Sequence, residues 1–206
     1  MSFFSRVKNL FKSAPDEQVL GYSVLELKSI FGKVLTEDAG ESSDYPAHTL
    51  LVSAGIQAYY SSFFMDKADV GELQELIDER FLKVDERVFN ELIVTRYQHQ
   101  ISKDELIFSV SYKELNVATI RLATNSVELL RLIKEKKFAV PPPWIAFEDY
   151  EASWWGGDMQ GAQGFYNDNY FFPFFSALSA AERGDYYAKY SADDEWVGTL
   201  ELTLGL

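Results

Sequence analysis

Four carboxylates around a pair of tryptophans come nearest to a catalytic arrangement: Glu148, Asp149, Glu151 and Asp158 surround Trp154 and Trp155. In sites that cleave glycosidic bonds, one acid protonates the leaving group while a second attacks or activates water. These acids, however, lie in one short, glycine-containing stretch that indicates a loop, where carboxylates are usually solvated. A carboxylate-based hydrolase is therefore an alternative interpretation and not the leading one.

The two histidines, His48 and His99, are the candidates for a metal site or a catalytic triad. They are far apart in sequence, in neither of the HxxxH and HxH spacings typical of metal sites. The chain contains no cysteine, which excludes thiolate zinc clusters and cysteine nucleophiles. No GxSxG motif marks a nucleophilic serine. We expect packed, hydrogen-bonded histidines, no metal, no cofactor and no enzymatic activity.

Glycine-rich segments at 156–157 and 161–164 could in principle hold a phosphate. Neither matches GxGxxG or GxxxxGK[ST], and no lysine or arginine lies between Lys137 and Arg183. We interpret these glycines as turn residues. The net charge of −13 also argues against nucleic acid as a partner, because a phosphate backbone would be repelled.

Helical spacing dominates the first 140 residues. Apolar residues recur at intervals of three and four over 70–81 and 85–101. Ser53, Gln57 and Ser61 form a thin polar stripe that favours a buried helix over 47–64. The acidic stretch 36–44 indicates an exposed loop.

Three patterns resembling capping boxes add further helices, starting at Ser13, Ser102 and Asn125. They predict helices to about residue 35, over 103–123, and from 126 to about 137. Two of the helical segments, 47–64 and 103–123, also fit strands. The best strand candidates are 106–112 and 198–204, where apolar residues alternate.

These elements predict a mainly α fold, helix on helix, with a small aromatic-rich C-terminal subdomain that has room for a few strands. A boundary falls at the three prolines 141–143, which cannot continue a helix. We therefore expect a helical domain over 1–140 and an acidic, aromatic-rich region over 141–206 packed on it. After Pro143 there are eleven acids, two bases, all four tryptophans and half of the aromatic residues.

No segment has the run of about 20 apolar residues that a transmembrane helix needs, and the N-terminus does not match a secretory signal. Residues 2–12 predict a short amphipathic helix with an apolar side of Phe3, Phe4, Val7, Leu10 and Phe11. We expect it to pack on its own domain, with weak contact to a membrane surface as the alternative. A cytoplasmic location follows as the default expectation.

The C-terminal region contains the pattern PPW-x-AF, followed by a turn with tryptophan and glycine and by an aromatic stretch. The pattern LS-x-x-x-R-x-x-Y comes next, and the segment ends with acidic residues followed by a tryptophan. The matching residues are Pro142, Pro143, Trp144, Ala146, Phe147, Leu178, Ser179, Arg183, Tyr187 and Trp196. This segment resembles the C-terminal region of small proteins associated with bacterial polymorphic toxins and type VI secretion effectors. The resemblance implies an immunity or accessory role and no catalytic residue.

We therefore expect an immunity-type protein that neutralises a bacterial toxin or effector by direct binding. An effector chaperone or adaptor is the alternative among binding proteins. Tryptophans commonly anchor protein interfaces, and an acidic surround suits a basic partner. The expected contact residues are Trp144, Trp154, Trp155, Asp158, Asp193, Asp194 and Glu195.

Overall fold

The computed structural model describes residues 18–35 and 44–205. Of these residues, 25% lie in β-strands, and the centre of the fold is a six-stranded antiparallel sheet. The prediction of a mainly α, all-helical core is therefore wrong, and the fold is mixed α and β. The helix predicted over 2–12, the capping box at Ser13 and most of the predicted 36–44 loop lie outside the described residues.

The first part of the chain contains all the strands that the structure describes. Its elements are β1 (Gln18–Val19), β2 (Tyr22–Ser23), α1 (Val24–Ile30), β3 (His48–Leu50), β4 (Tyr59–Met65), α2 (Val70–Asp78), β5 (Phe81–Phe89), β6 (Leu92–His99), β7 (Glu105–Ser111), β8 (Ala118–Thr124) and α3 (Val127–Lys136). The C-terminal part is helical, with α4 (Pro143–Ala146), α5 (Gly161–Tyr166), a π-helical turn (Asn167–Phe171), α6 (Phe172–Phe175), α7 (Ala180–Lys189) and α8 (Asp194–Leu204).

The large sheet has the strand order β3-β4-β8-β7-β6-β5, and every neighbouring pair is antiparallel. Strands β5 to β8 follow one another as a meander, and β8 then pairs with β4 over seven residues. Strands β7 and β8 are buried on both faces, so their sequences do not alternate between apolar and polar residues.

The helices predicted over 47–64, 85–101 and 103–123 are all wrong, for different reasons. Residues 85–101 fold back at Asn90 and Glu91, whose φ angles of 50° and 61° suit a type I′ hairpin turn. Residues 103–123 contain β7 and β8, because apolar runs buried on both faces carry no clear period. Residues 47–64 form β3, a 3-10 turn and most of β4.

Several local predictions are confirmed and others fail. The helix predicted over 70–81 is present as α2, and the one from 126 to 137 as α3, although Ser126 rather than Asn125 caps it. The strand predicted over 106–112 corresponds to β7. The strand predicted over 198–204 is wrong, because these residues belong to α8.

The first face of the sheet is covered by α2 and α3. Phe63, Phe108 and Leu122 on the strands meet Leu73 of α2 and Leu129 of α3 in one apolar cluster. Each of these helices buries one apolar side against this face of the sheet.

The second face is covered in part by the β1–β2 hairpin and α1. Tyr22 and Leu27 pack against Ile107 of the sheet. Arg87 of β5 holds the hairpin, since its guanidinium lies 3.5 Å from the centre of the Tyr22 ring and donates to the Gly21 carbonyl oxygen at 2.9 Å. Val19 and Leu20 of the hairpin are buried in this layer.

The C-terminal helices cover another part of the second face with aromatic rings. The Phe64 ring of β4 stacks on Tyr170 with centroids 3.9 Å apart, and Phe171 and Phe175 are fully buried behind it. Buried tyrosine hydroxyls connect this layer to backbone carbonyl oxygens: Tyr186 donates to Val140 at 2.6 Å, and Tyr166 donates to Pro141. Residues 141–205 therefore form a layer on the sheet.

Gly164 of α5 fixes how the C-terminal layer meets the loop before it. A Cβ atom at this position would lie 2.2 Å from the Met159 carbonyl oxygen, which no side chain tolerates. Gly184, in the middle of α7, has no atom within 4 Å of the corresponding position. The two glycines therefore differ in what a methyl group would do.

We predict that Gly164→Ala lowers the free energy of unfolding by about 1–3 kcal/mol, because the backbone must move to admit the methyl group. The matched variant Gly184→Ala should raise it by about 0.5–1 kcal/mol through helix propensity. Urea denaturation measures both. Equal effects of the two variants would contradict the described packing of α5.

Candidate functional site

The tryptophans predicted to bind a partner differ in their exposure. Trp155 and Trp196 are 5% and 6% exposed and pack in the C-terminal aromatic layer. Trp144 is half-buried, lies 5.1 Å from Trp196 between ring centroids, and donates from Nε1 to the Tyr190 carbonyl oxygen at 3.1 Å. Trp154 alone among the four is largely exposed, at 61%.

The exposed Trp154 is held by a short 3-10 turn over Ala152–Trp154. Its amide donates to the Glu151 carbonyl oxygen at 3.1 Å, and Ala152 and the neighbouring Trp155 are buried beneath it. The Tyr150 ring meets Trp154 edge-on at 6.0 Å. A large ring whose backbone is fixed in advance loses little entropy on binding, which suits it to anchor a partner.

The predicted contact acids lie at the surface, but one of them also has a structural role. Asp193 is the N-cap of α8, and its carboxylate accepts from the Trp196 amide at 2.8 Å. Asp194 and Glu195 follow in the first helical turn, where negative charge is favourable. Asp158 is exposed in the loop before α5.

We define the acidic surface as Trp154 with the exposed acids of the 148–158 segment and of α8: Glu148, Asp149, Glu151, Asp158, Asp194, Glu195 and Glu201. The 3-10 turn that carries Trp154 packs against α8, which brings the two acidic segments together. Trp154, Asp158, Asp194 and Glu195 are all exposed on these two packed segments, whereas Trp155 and Trp196 are buried with their ring centroids 6.1 Å apart.

The carboxylates of the acidic surface have no basic partner among the described residues. Eleven acids follow Pro143, and the structure describes all of them. Glu182 is the one that forms an ion pair with a described base, with 2.5 Å between its Oε1 and Nζ of Lys137. That hydrogen bond, followed by those from the Ser179 amide and hydroxyl, lowers the pKa of Glu182 to about 2.

Both bases of the C-terminal region have partners other than the carboxylates of this surface. Lys189 pairs with Asp66 and Asp69, with Nζ to oxygen distances of 3.7 and 3.4 Å. Arg183 donates to the Leu178 carbonyl oxygen at 2.7 Å. The bases that the structure describes therefore leave the carboxylates around Trp154 without an ion pair.

The candidate catalytic side chains are either exposed or hydrogen-bonded to the backbone. Glu148, Asp149, Glu151 and Asp158 are all exposed. The Nδ1 of His99 accepts from the amides of Ile101 and Ser102 at 3.2 and 3.1 Å, which fits the packed role expected for it. Across the described ranges, no group of three or more potential metal-ligating side chains is found.

The His48 ring lies edge-on to Tyr59 at 5.3 Å. Sequence reasoning missed Glu201 as part of the acidic surface and Tyr150 as the ring that contacts Trp154. The spacing of Glu201 in α8 after Trp196 and Leu200, both buried, would have placed it on the outer side had 198–204 been recognised as helical. Nothing in the sequence shows that Lys189 and Arg183 are engaged elsewhere.

Comparisons with protein-family models, with curated proteins and with solved structures found no match to this chain. Within residues 18–35 and 44–205, no helix combines the length and the apolar character needed to cross a membrane.

We predict that caesium ions quench the fluorescence of the exposed tryptophan more efficiently than iodide does at equal ionic strength. With each quenching constant divided by that of free tryptophan amide, the caesium value should exceed the iodide value at least about twofold. The reason is that carboxylates around Trp154 concentrate cations and repel anions. Trp154→Phe should remove most of the accessible fraction, whereas the control Trp144→Phe should leave it. Preferential quenching by iodide would refute a negative potential at Trp154.

Proposed function

We propose that this chain is an immunity-type protein that binds and neutralises a basic bacterial toxin or effector through its acidic surface. The observation that carries the proposal is an exposed Trp154, on a hydrogen-bonded 3-10 turn, in a segment whose carboxylates have no basic partner within the described chain. A surface of this kind requires no catalytic group. The resemblance of the C-terminal segment to toxin-associated proteins supports the same role.

The carboxylates and Trp154 contribute differently to binding, the first to association and the second to slow dissociation. Carboxylates such as Glu148 and Glu151 accelerate the encounter with a basic surface and orient it, an effect that falls as salt screens the charges. Trp154 then enters a pocket of the partner and slows dissociation, as buried aromatic anchors do. Toxins that act on nucleic acids present basic surfaces, so a nuclease is one natural target. The encounter takes place in the cytoplasm.

The test is co-expression with a toxin encoded beside this chain, followed by co-purification and association kinetics. We expect Trp154→Ala to weaken binding by about 30-fold or more, the effect of losing a hot-spot residue. The double variant Glu148→Gln/Glu151→Gln should slow association by about three- to tenfold. The control Glu75→Gln/Glu135→Gln removes the same charge from exposed positions on α2 and α3, and it should stay within about twofold of the parent.

The control separates a local contact from general attraction by net charge. If both double variants slow association equally, net charge and not the acidic surface guides the encounter. If the toxin kills equally well with and without this chain, and the two proteins do not co-purify, the immunity function is wrong.

A further inference from the structure

A cleft of about 350 Å³ opens on the second face of the sheet, beside the β1–β2 hairpin and away from the acidic surface. Its floor is formed by strands β7 and β8, and its walls by the hairpin and the β5–β6 turn. Clefts of roughly 300–1,000 Å³ with apolar walls and a few fixed polar groups are typical of small-molecule sites. Its apolar lining consists of Val19, Leu20, Tyr60, Phe89, Leu92 and Val94.

Arg121 is the central polar group of the cleft. It lies on β8 between Ser109 of β7 and Ser62 of β4, its direct cross-strand neighbours. Its guanidinium donates from Nη2 to Oε1 of Glu114 at 2.5 Å, the hydrogen bond that this side chain makes among the described residues. A guanidinium has five N–H donors, so most of the donors of Arg121 remain unused.

Ser109 supplies an independent sign that a ligand belongs here. The residue is only 2% exposed and lines the cleft, yet its Oγ has no hydrogen-bond partner. A buried hydroxyl without a partner costs about 1–3 kcal/mol, and such groups are rare unless something binds them. Because Ser109 and Arg121 are opposite each other in the register, one bound group can reach both side chains.

We propose that this cleft binds a small molecule with a carboxylate or carboxamide group on an apolar body about the size of one ring. The oxygen atoms of that group accept hydrogen bonds from the Arg121 guanidinium and the Ser109 hydroxyl. The apolar body lies against Leu20, Phe89 and Leu92. Glu114 orients the guanidinium, as carboxylates commonly do for arginines that bind planar groups.

This site is not predictable from the sequence pattern. Arg121 and Ser109 fall in the segment 103–123 that was predicted as a helix, where they would not be neighbours. Only the pairing of β7 with β8 brings them together. The site is independent of the proposed function, because its residues are not part of the acidic surface.

The test titrates ¹⁵N-labelled full-length protein with two probes of the same shape, benzoate and benzamide. We expect benzoate to shift the amide signals of Ser109 and Arg121 and the Arg121 Nε–H signal, with half-saturation at roughly 1–10 mM for so small a ligand. Stronger binding of benzoate identifies a carboxylate ligand. Equal or stronger binding of benzamide identifies a neutral carboxamide.

Variants decide whether the shifts come from this cleft. Arg121→Met should weaken binding of the preferred probe at least tenfold, whereas Arg131→Met, at an exposed position on α3, should leave it unchanged. Ser109→Ala, which keeps the strand intact, should weaken it severalfold and serves if Arg121→Met does not fold. The proposal is overturned if neither probe shifts these signals, or if Ser109→Ala and every folded Arg121 variant bind as the parent does.

Discussion

Strands β7 and β8 are buried on both faces, and this constraint determines the rest of the architecture. A sheet with apolar residues on both faces must be covered on both sides, since exposed apolar area costs about 25 cal/mol per Å². Helices α2 and α3 cover the first face, while the β1–β2 hairpin, α1 and the C-terminal aromatic layer share the second. The high aromatic content of the C-terminal region follows from this role, because large rings cover a wide area with few residues.

The same constraint separates structural residues from those free to bind. Trp155 and Trp196 are buried in the covering layer, whereas Trp154 is exposed. The carboxylates of the acidic surface form no ion pair with a described residue. Unpaired carboxylates of like charge repel one another, and a basic partner would relieve that repulsion. The same covering of the second face creates the cleft, because the β1–β2 hairpin forms one wall of it beside Arg121.

The sequence predicted the elements whose pattern is local and missed those that depend on distant strands. Helices α2 and α3 each bury one side, so the spacing of Leu73 and Ile77 in α2 was sufficient to predict it. Strands β5 and β6 were mistaken for a helix because both carry exposed polar residues and the turn at Asn90 and Glu91 lacks a glycine. For the acidic surface, the sequence identified the acids and Trp154. It could not show which tryptophans the aromatic layer buries.

The indole N–H signals of the four tryptophans show whether a protein partner contacts the chain at Trp154. In ¹⁵N-labelled protein these signals can be assigned with single Trp→Phe variants and followed as the co-encoded toxin is added. We expect the Trp154 signal to shift or broaden first and most, while those of the buried Trp155 and Trp196 change little. Binding that leaves the Trp154 signal unchanged would contradict a contact at Trp154.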